Sequence, residues 1–314
     1  MPVPVPAVPA PLRVRPPRQD DLDALTELYI RANVADIGEA DTDTDDVESI
    51  WRWPGFELAH DAVLIVDEDD RPAAYAWVHK TSAADLTVDP GWRTKGVGGA
   101  LLAWLVARAT EQAEQAGRRA PVQLEALTGD KAATRLLEAA GFHPTRATLL
   151  MGIDLTDGLD GPVWPPGAQP RPFDTARDAR AAHALVTEAF RDVAGTTSRS
   201  FEQWATFTIQ RRGFDPGLCL RAVAEERLVG VAVNHRFEGD GFVQYLAVAR
   251  DWRRQGLGEA LLRASFQHMA SLGMPRATLY VDADNSTGAG RLYERAGMRV
   301  RHRWDRWELP VGPA

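Results

Sequence analysis

The chain has 314 residues, 45% of them hydrophobic and 25% charged, with a formal net charge of −8 at neutral pH. Those proportions suit a soluble globular protein of about two domains with real cores. The acidic balance excludes a nucleic-acid or membrane-surface role, because either needs a basic face to meet phosphates, but it is compatible with a cationic or amine-bearing small substrate.

Residues 1–11, MPVPVPAVPAP, alternate proline with small apolar residues. A polyproline-like or disordered arm is expected there, and the prolines forbid the apolar helix of a signal peptide. No run approaches the roughly 20 apolar residues that a membrane span needs. A cytoplasmic protein, monomeric or homodimeric, is therefore expected. In the first half, hydrophobic spacing predicts helices over 22–32, 98–115 and 131–140, and strands over 63–66, 73–80, 86–88 and 122–126. The acidic stretch DIGEADTDTDDVE (36–48) reads as a solvated loop.

Residues 155–172 concentrate glycine and proline without periodicity, which marks a boundary. The expected organisation is an arm at 1–11, a domain at 12–154, a linker at 155–170 and a second domain at 171–314. In the second half, helices are expected over 175–190, 201–210, 258–272 and 288–296, with Gly273 and Gly297 as stops. Strands are expected over 218–223, 227–234, 242–248, 277–282 and 300–309. The single cysteine, Cys219, excludes an intrachain disulfide and falls in the first of these strands, so a buried, inert thiol is expected. Runs of antiparallel strands with helices inserted late give each half an α+β fold, a mixed and mostly antiparallel sheet flanked by helices.

The two halves are copies. VDPGWRTKGVGGALL (88–102) aligns without a gap to VARDWRRQGLGEALL (248–262), and RLLEAAGF (135–142) to RLYERAGM (291–298). Two anchors in the same order at nearly one offset identify a tandem duplication. In the second copy, Arg253, Arg254, Gln255, Gly256, Leu257 and Gly258 lie between a strand and a helix. Glycines there let successive backbone N–H groups turn onto one point, and the helix N-terminus adds about half a positive charge. The result is a concave anion site suited to a diphosphate. It lacks the Gly-Lys-Ser/Thr of a Walker loop and the glycine spacing of a dinucleotide fingerprint.

The segment from Arg253 to Gly258 resembles the acetyl-CoA-binding motif of the GNAT superfamily of acetyltransferases, and Asn285 with Arg291-Leu-Tyr-Glu-Arg-Ala-Gly-Met298 is similar to that family's second signature. The doubled arrangement resembles the actinobacterial tandem GNAT proteins of the mycothiol synthase-like group. The resemblance implies acetyl-CoA as donor, a small-molecule amine as acceptor and direct transfer in a ternary complex, with no metal. It implies that the amides from Gln255 to Gly258, with Arg253 and Arg254 beside them, hold the pyrophosphate. The main chain of Leu246, Ala247 and Val248 would run beside pantetheine, Asn285 and Arg291 would contact the coenzyme, and Tyr293 would be the general acid. A phenol near pKa 10 is protonated at neutral pH and can give its proton to a leaving thiolate.

The first copy departs from this pattern, with Leu137 at the place of Tyr293 and Gly129 at that of Asn285. It keeps Val88, Arg93, Lys95, Gly96, Val97 and Gly98, a possible second coenzyme site in a domain expected to be inactive. Phe242 occupies the strand position where the resembled group carries a carboxylate base, and it cannot take a proton. His235, at a strand end, is the tentative base on its ordinary pKa, with Glu238, Asp240, Asp282 and Asp284 as other nearby groups. Two alternatives stand beside the small-molecule enzyme: a non-catalytic coenzyme A-binding or sensing protein, and an acetyltransferase acting on a protein or peptide amine.

Overall fold

The computed structural model describes Val3 and residues 5–80, 82–155, 158–191, 199–237, 239–284 and 288–313. Two residues weighed above, Glu238 and Asn285, lie outside that set. In chain order the first copy holds β1 (Arg13–Arg15), α1 (Leu22–Ile37), α2 (Thr44–Trp51), α3 (Leu58–Asp61), β2 (Ala62–Val66), β3 (Pro72–Val78), β4 (Ala84–Val88), α4 (Val97–Gln115), β5 (Ala120–Leu127), α5 (Lys131–Ala139) and β6 (His143–Asp154). The second holds β7 (Gln169–Pro172), α6 (Thr175–Phe190), α7 (Phe201–Thr206), β8 (Leu220–Ala224), β9 (Arg227–Phe237), β10 (Asp240–Val248), α8 (Leu257–Ser271), β11 (Arg276–Asp282), α9 (Ala289–Arg295) and β12 (Arg299–Val311). Among the described residues, no helix is long and apolar enough to cross a membrane, and no group of three or more His, Cys, Asp or Glu is placed to hold a metal.

The chain forms two compact units, one of Met1–Ala147 with Trp304–Ala314 and the other of Thr148–Arg303. In unit 1, β1 to β4 form an antiparallel meander. Every residue of β2 and β3 is buried, which explains their continuous apolar runs. Strand β5 touches this meander at a parallel bridge, Ala83 with Gln123. On its other edge it pairs antiparallel with β12, from Trp304 opposite Leu127 to Val311 opposite Ala120. Ile65, Leu101, Leu105, Leu124 and Trp307 share one core.

In unit 2 the strand order is β7-β8-β9-β10-β11-β6. All neighbours are antiparallel except β10 and β11, and β6 pairs along β11 from Asp154 opposite Arg276 to Thr148 opposite Asp282. The closing strands are thus exchanged between the copies. The last strand of the first repeat completes unit 2, and the last strand of the second completes unit 1.

Most expected elements are present, and the differences have local causes. The acidic stretch is not loop throughout, because its second part begins α2. Asp43 accepts from the Asp46 N–H at 2.8 Å and the Asp46 carboxylate accepts from the Asp43 N–H at 3.2 Å, a capping box that starts the helix. Val47 and Trp51 then supply its buried face. Helix α7 stops at Thr206, ahead of the expected 210, and the Thr208 hydroxyl donates back to the Trp204 carbonyl at 2.6 Å. Strand β8 begins at Leu220, after a 3-10 turn over Pro216–Leu218 whose cap, Asp215, accepts from the Gly217 N–H at 2.8 Å. Cys219 precedes the strand and is buried, as expected. Gln169 and Pro170, inside the expected linker, open β7 at the sheet edge, where proline is tolerated.

Because Trp307 is 5% exposed in the unit 1 core, Trp307→Ala should destabilise that unit by about 3 kcal/mol. Hydrogen exchange should then show protection lost in β5 and α4 and kept in β9 and β10. Loss confined to β9 and β10 would contradict the exchange of strands.

Candidate active site

The site in unit 2 starts from a failure of pairing. Strands β10 and β11 are joined only at Gly241 with Ala277 and Phe242 with Thr278; beyond that no β10–β11 pair occurs among the described residues. The register of β10 on β9 also shifts between Val243 and Tyr245, a bulge at Gln244 whose side-chain amide donates to the Phe207 carbonyl at 2.7 Å. A bulge adds one residue and reverses the alternation of faces. Phe242, Tyr245 and Ala247 therefore share a face with His235, Val233 and Val231, while Leu246 and Val248 face the other way. The main chain of Leu246, Ala247 and Val248 runs along the edge that β11 leaves open.

The loop after β10 has the conformation of an anion cradle. Arg253 is extended, Arg254 lies at φ 61° and Gly256 at φ 88°, immediately before α8. Left-handed residues at alternate positions turn successive N–H groups to one side, and the first amides of α8 lack intrahelical partners. Arg254 is exposed at this point, whereas Arg253 turns inward. Its Nε donates to the Val248 carbonyl at 3.2 Å and its Nη2 to the Ala189 carbonyl at 3.5 Å. Arg253 therefore fixes the end of β10 and the end of α6. Gln255 donates to the Asp251 carbonyl at 2.8 Å, and the Leu257 side chain is fully buried as the anchor of the helix. At Gly258 an added Cβ would stand 3.0 Å from Leu292 Cδ1 and 3.6 Å from Val248 Cγ2. Glycine there lets α8, α9 and β10 meet.

Tyr293 lies on α9, half-buried against the apolar cluster that also takes Leu246 and Leu292. Burial pushes its hydroxyl up to about 12, so the phenol is a proton donor at neutral pH. Arg291 is exposed beside Gly288, where a Cβ would come within 3.3 Å of its Nη2.

His235 sits within β9, which continues to Phe237, and not at a strand end. It is 6% exposed, its ring lies 4.9 Å from that of Phe242, and among the described residues its Nδ1 has no hydrogen-bond partner. Burial, and secondarily the charge of Arg211, lowers its pKa to about 3. Its imidazole is therefore neutral at pH 7, able to accept a hydrogen bond but a weak holder of a proton. Of the other groups, Asp240 is paired with Arg276 at 2.6 Å, and Asp282 accepts from the Asp284 N–H at 2.8 Å. Sequence reasoning missed the aromatic face beside β10. Phe190 and Trp204 lie 6.0 and 6.5 Å from the Tyr245 ring, and Arg199 Nη1 donates to the Tyr245 hydroxyl at 3.5 Å. The signal was an apolar spacing on α6 and α7 that reads equally as core.

Unit 1 repeats the cradle. Thr94 lies at φ 63° and Gly96 at φ 83°, and Arg93 Nε donates to the Val88 carbonyl at 3.3 Å. A Cβ on Gly98 would stand 3.4 Å from Leu136. Val97 is buried, Lys95 Nζ stands 4.4 Å from the Trp92 ring centre, and Leu137 fills the place of Tyr293 with 5% exposure.

Two expectations follow from this geometry. A hydrogen bond from a charged donor contributes about 1.5–3 kcal/mol, so Arg253→Ala should raise the KM for the coenzyme that the sequence resemblance implies about tenfold or more in steady-state kinetics; an unchanged KM would contradict the positioning role. For His235, a folded-state pKa of about 3 against 6.5 favours the neutral form. That stability is fully present above pH 6.5 and is lost as pH falls toward 3. Between pH 7 and 5 the wild type should lose about 2 kcal/mol more than His235→Gln in urea unfolding, and parallel losses would contradict this.

The profile of the Acetyltransferase (GNAT) family matches residues 22–142 and 171–298. A protein named mycothiol acetyltransferase from Thermobispora bispora is 34% identical over 263 residues, covering 79% of this chain and 81% of that protein. One of the same name from Kocuria rhizophila is 29% identical over 94% of this chain and 95% of its own length. The crystal structure of a GCN5-related N-acetyltransferase from Sphaerobacter thermophilus superposes with a TM-score of 0.79 at 32% identity, covering 98% of both chains. A tandem GNAT protein from the clavulanic acid biosynthesis pathway shares the fold, with a TM-score of 0.70 at 20% identity over 96% of this chain and 99% of its own. With both halves matched, the chain belongs to the GNAT acetyltransferase family, as a tandem, acetyl-CoA-dependent N-acetyltransferase.

Proposed function

We propose that unit 2 is the catalytic unit and moves an acetyl group from acetyl-CoA directly to the amine of a small molecule in a ternary complex, in the cytoplasm. The observation that carries this reading is convergence. The cradle before α8 meets the end of β10 at Val248, β10 is unpaired with β11 along Leu246–Val248 among the described residues, and Tyr293 packs on the same apolar cluster as Leu246 and Leu292. The amides from Gln255 to Gly258 hold the diphosphate, with Arg254 adding charge and Arg291 and Asn285 along the coenzyme arm. Bound acetyl-CoA supplies an acetyl thioester.

The main-chain N–H groups of Leu246–Val248 on the open edge hold the thioester carbonyl oxygen and stabilise the charge that develops there. The amine nitrogen forms a bond to the carbonyl carbon as the carbon–sulfur bond breaks. Tyr293 gives its proton to the departing sulfur and recovers one from the amine by way of water. His235, neutral and beside Phe242 on the other face of the sheet, does not store the proton. Direct transfer is supported by the cysteine: burial pushes the Cys219 thiol up to about 12, which leaves it no thiolate to carry an acyl group. Relatives bearing the name mycothiol acetyltransferase favour a small-molecule acceptor over a protein amine. Unit 1, with Leu137 in place of the acid, is a scaffold that retains the phosphate cradle.

Tyr293→Phe should lower kcat by about a hundredfold or more, while calorimetry finds acetyl-CoA affinity within about twofold of wild type. Full turnover in that variant would remove the acid assignment.

A further inference from the structure

Strand β10 leaves its partners at one place. Phe242 makes its last pair with β11 among the described residues. Gln244 has no partner on β9, since the register passes from Val243 opposite Asn234 to Tyr245 opposite Val233. The edge assigned to the thioester, Leu246–Val248, begins just beyond this bulge. Its position therefore depends on where the extra residue sits.

A bulge can slide along a strand, because every ladder position offers the same backbone groups. Side chains must pin it. On β9 the pin is Asn234, whose Nδ2 donates to the Leu218 carbonyl at 2.9 Å and to Ser265 Oγ at 3.0 Å. On β10 it is Gln244, whose Nε2 donates to the Phe207 carbonyl at 2.7 Å, its one side-chain hydrogen bond among the described residues. Phe207 is the C-cap of α7, and a helix end leaves such carbonyls without an intrahelical partner. Amide and carbonyl thus satisfy each other. They tie the bulge to the helix whose Trp204 ring lies 6.5 Å from that of Tyr245.

The alternative register shows what the tie prevents. With no bulge here, Gln244 would fall opposite Val233 and Tyr245 opposite Ala232. Tyr245 would then turn to the face that carries Gly230, where even a Cβ would stand 2.7 Å from Leu261 Cδ1. Leu246 would change faces as well. The N–H groups beyond the bulge would shift by one residue, about 3.4 Å, far more than a near-attack geometry tolerates.

We propose that Gln244 is a positioning residue for the acetyl group: its side-chain amide, held on the Phe207 carbonyl, fixes the bulge in register and with it the Leu246–Val248 edge. The role rests on the reading of unit 2 as catalytic and of this edge as the seat of the thioester carbonyl. It requires an N–H donor at Gln244.

The test uses the full chain with Gln244→Glu, which keeps the shape without the N–H, and Gln244→Met, which keeps the length without charge. The probe is acetyl-CoA isotope-labelled at the thioester carbonyl carbon. In the wild type its bound NMR signal should move away from the free position, and Gly258→Asp should remove that signal. In both Gln244 variants it should return most of the way to the free position. Calorimetry should still find acetyl-CoA affinity within about twofold of wild type, because the cradle is a separate contact. In the unliganded chain, the amide signals of Leu246, Ala247 and Val248 should broaden or divide in the variants as the register is lost. Gln244→Met decides the matter if Gln244→Glu fails to fold. A carbonyl signal that keeps its wild-type position in Gln244→Met, a parallel loss of coenzyme affinity, or unmoved amides would each overturn the proposal while leaving unit 2 catalytic. A shifted carbonyl signal that survives Gly258→Asp would overturn the reading beneath it, and the proposal with it.

Discussion

The seating of α8 against β9 and β10 sets the geometry of everything else in unit 2. It is possible because the sheet is bare where the helix lands. A Cβ on Gly230 of β9 would stand 2.7 Å from Leu261 Cδ1 and 3.3 Å from Leu257 Cδ2, closer than packed atoms allow. The contact is reinforced by a buried polar link, in which Asn234 Nδ2 donates to Ser265 Oγ at 3.0 Å and to the Leu218 carbonyl at 2.9 Å. Once the helix is fixed, its first turn comes to the end of β10, and Gly258 lets α9 close on the same point. The cradle, the open strand edge and the phenol of Tyr293 are then held by rigid elements, as transfer of a group over a short distance requires.

The duplication kept this seat and changed what surrounds it. Both loops share the same pair of left-handed residues, and in each an arginine ties down the last carbonyl of the central strand. The divergence is on the opposite face of the sheet. Unit 2 has Tyr245 among Phe190 and Trp204, with a neutral histidine beyond; unit 1 has Asp85 hydrogen-bonded to Tyr29 beside Tyr75. Exchange of the closing strands means that neither repeat, taken as its own stretch of sequence, completes a sheet. Each unit takes its closing strand from the other repeat.

Much of this was legible in the sequence because the decisive constraints are local. The cradle depends on glycine spacing next to a helix start, and the family of the chain follows from Arg253–Gly258 together with the segment containing Tyr293. The strand exchange was not legible, because nothing local in β6 or β12 states which β5-like edge each will join. The bulge at Gln244 was equally hidden, and with it the fact that Phe242 and Tyr245 share a face. His235 was misplaced for a related reason: the polar sequence after Asn234 looks like a strand end, whereas pairing with Phe242 carries β9 onward and buries the ring. Burial changes that residue from an ordinary base into a neutral acceptor, and no property of the sequence alone measures burial.

The central claim is that one unit, the second, turns over. The most direct measurement compares acetyl transfer by two matched variants, Gly258→Asp and Gly98→Asp, which place a carboxylate at the helix start of each cradle. The account predicts that Gly258→Asp abolishes transfer while Gly98→Asp retains most of it. Activity that survives Gly258→Asp and disappears in Gly98→Asp would contradict it.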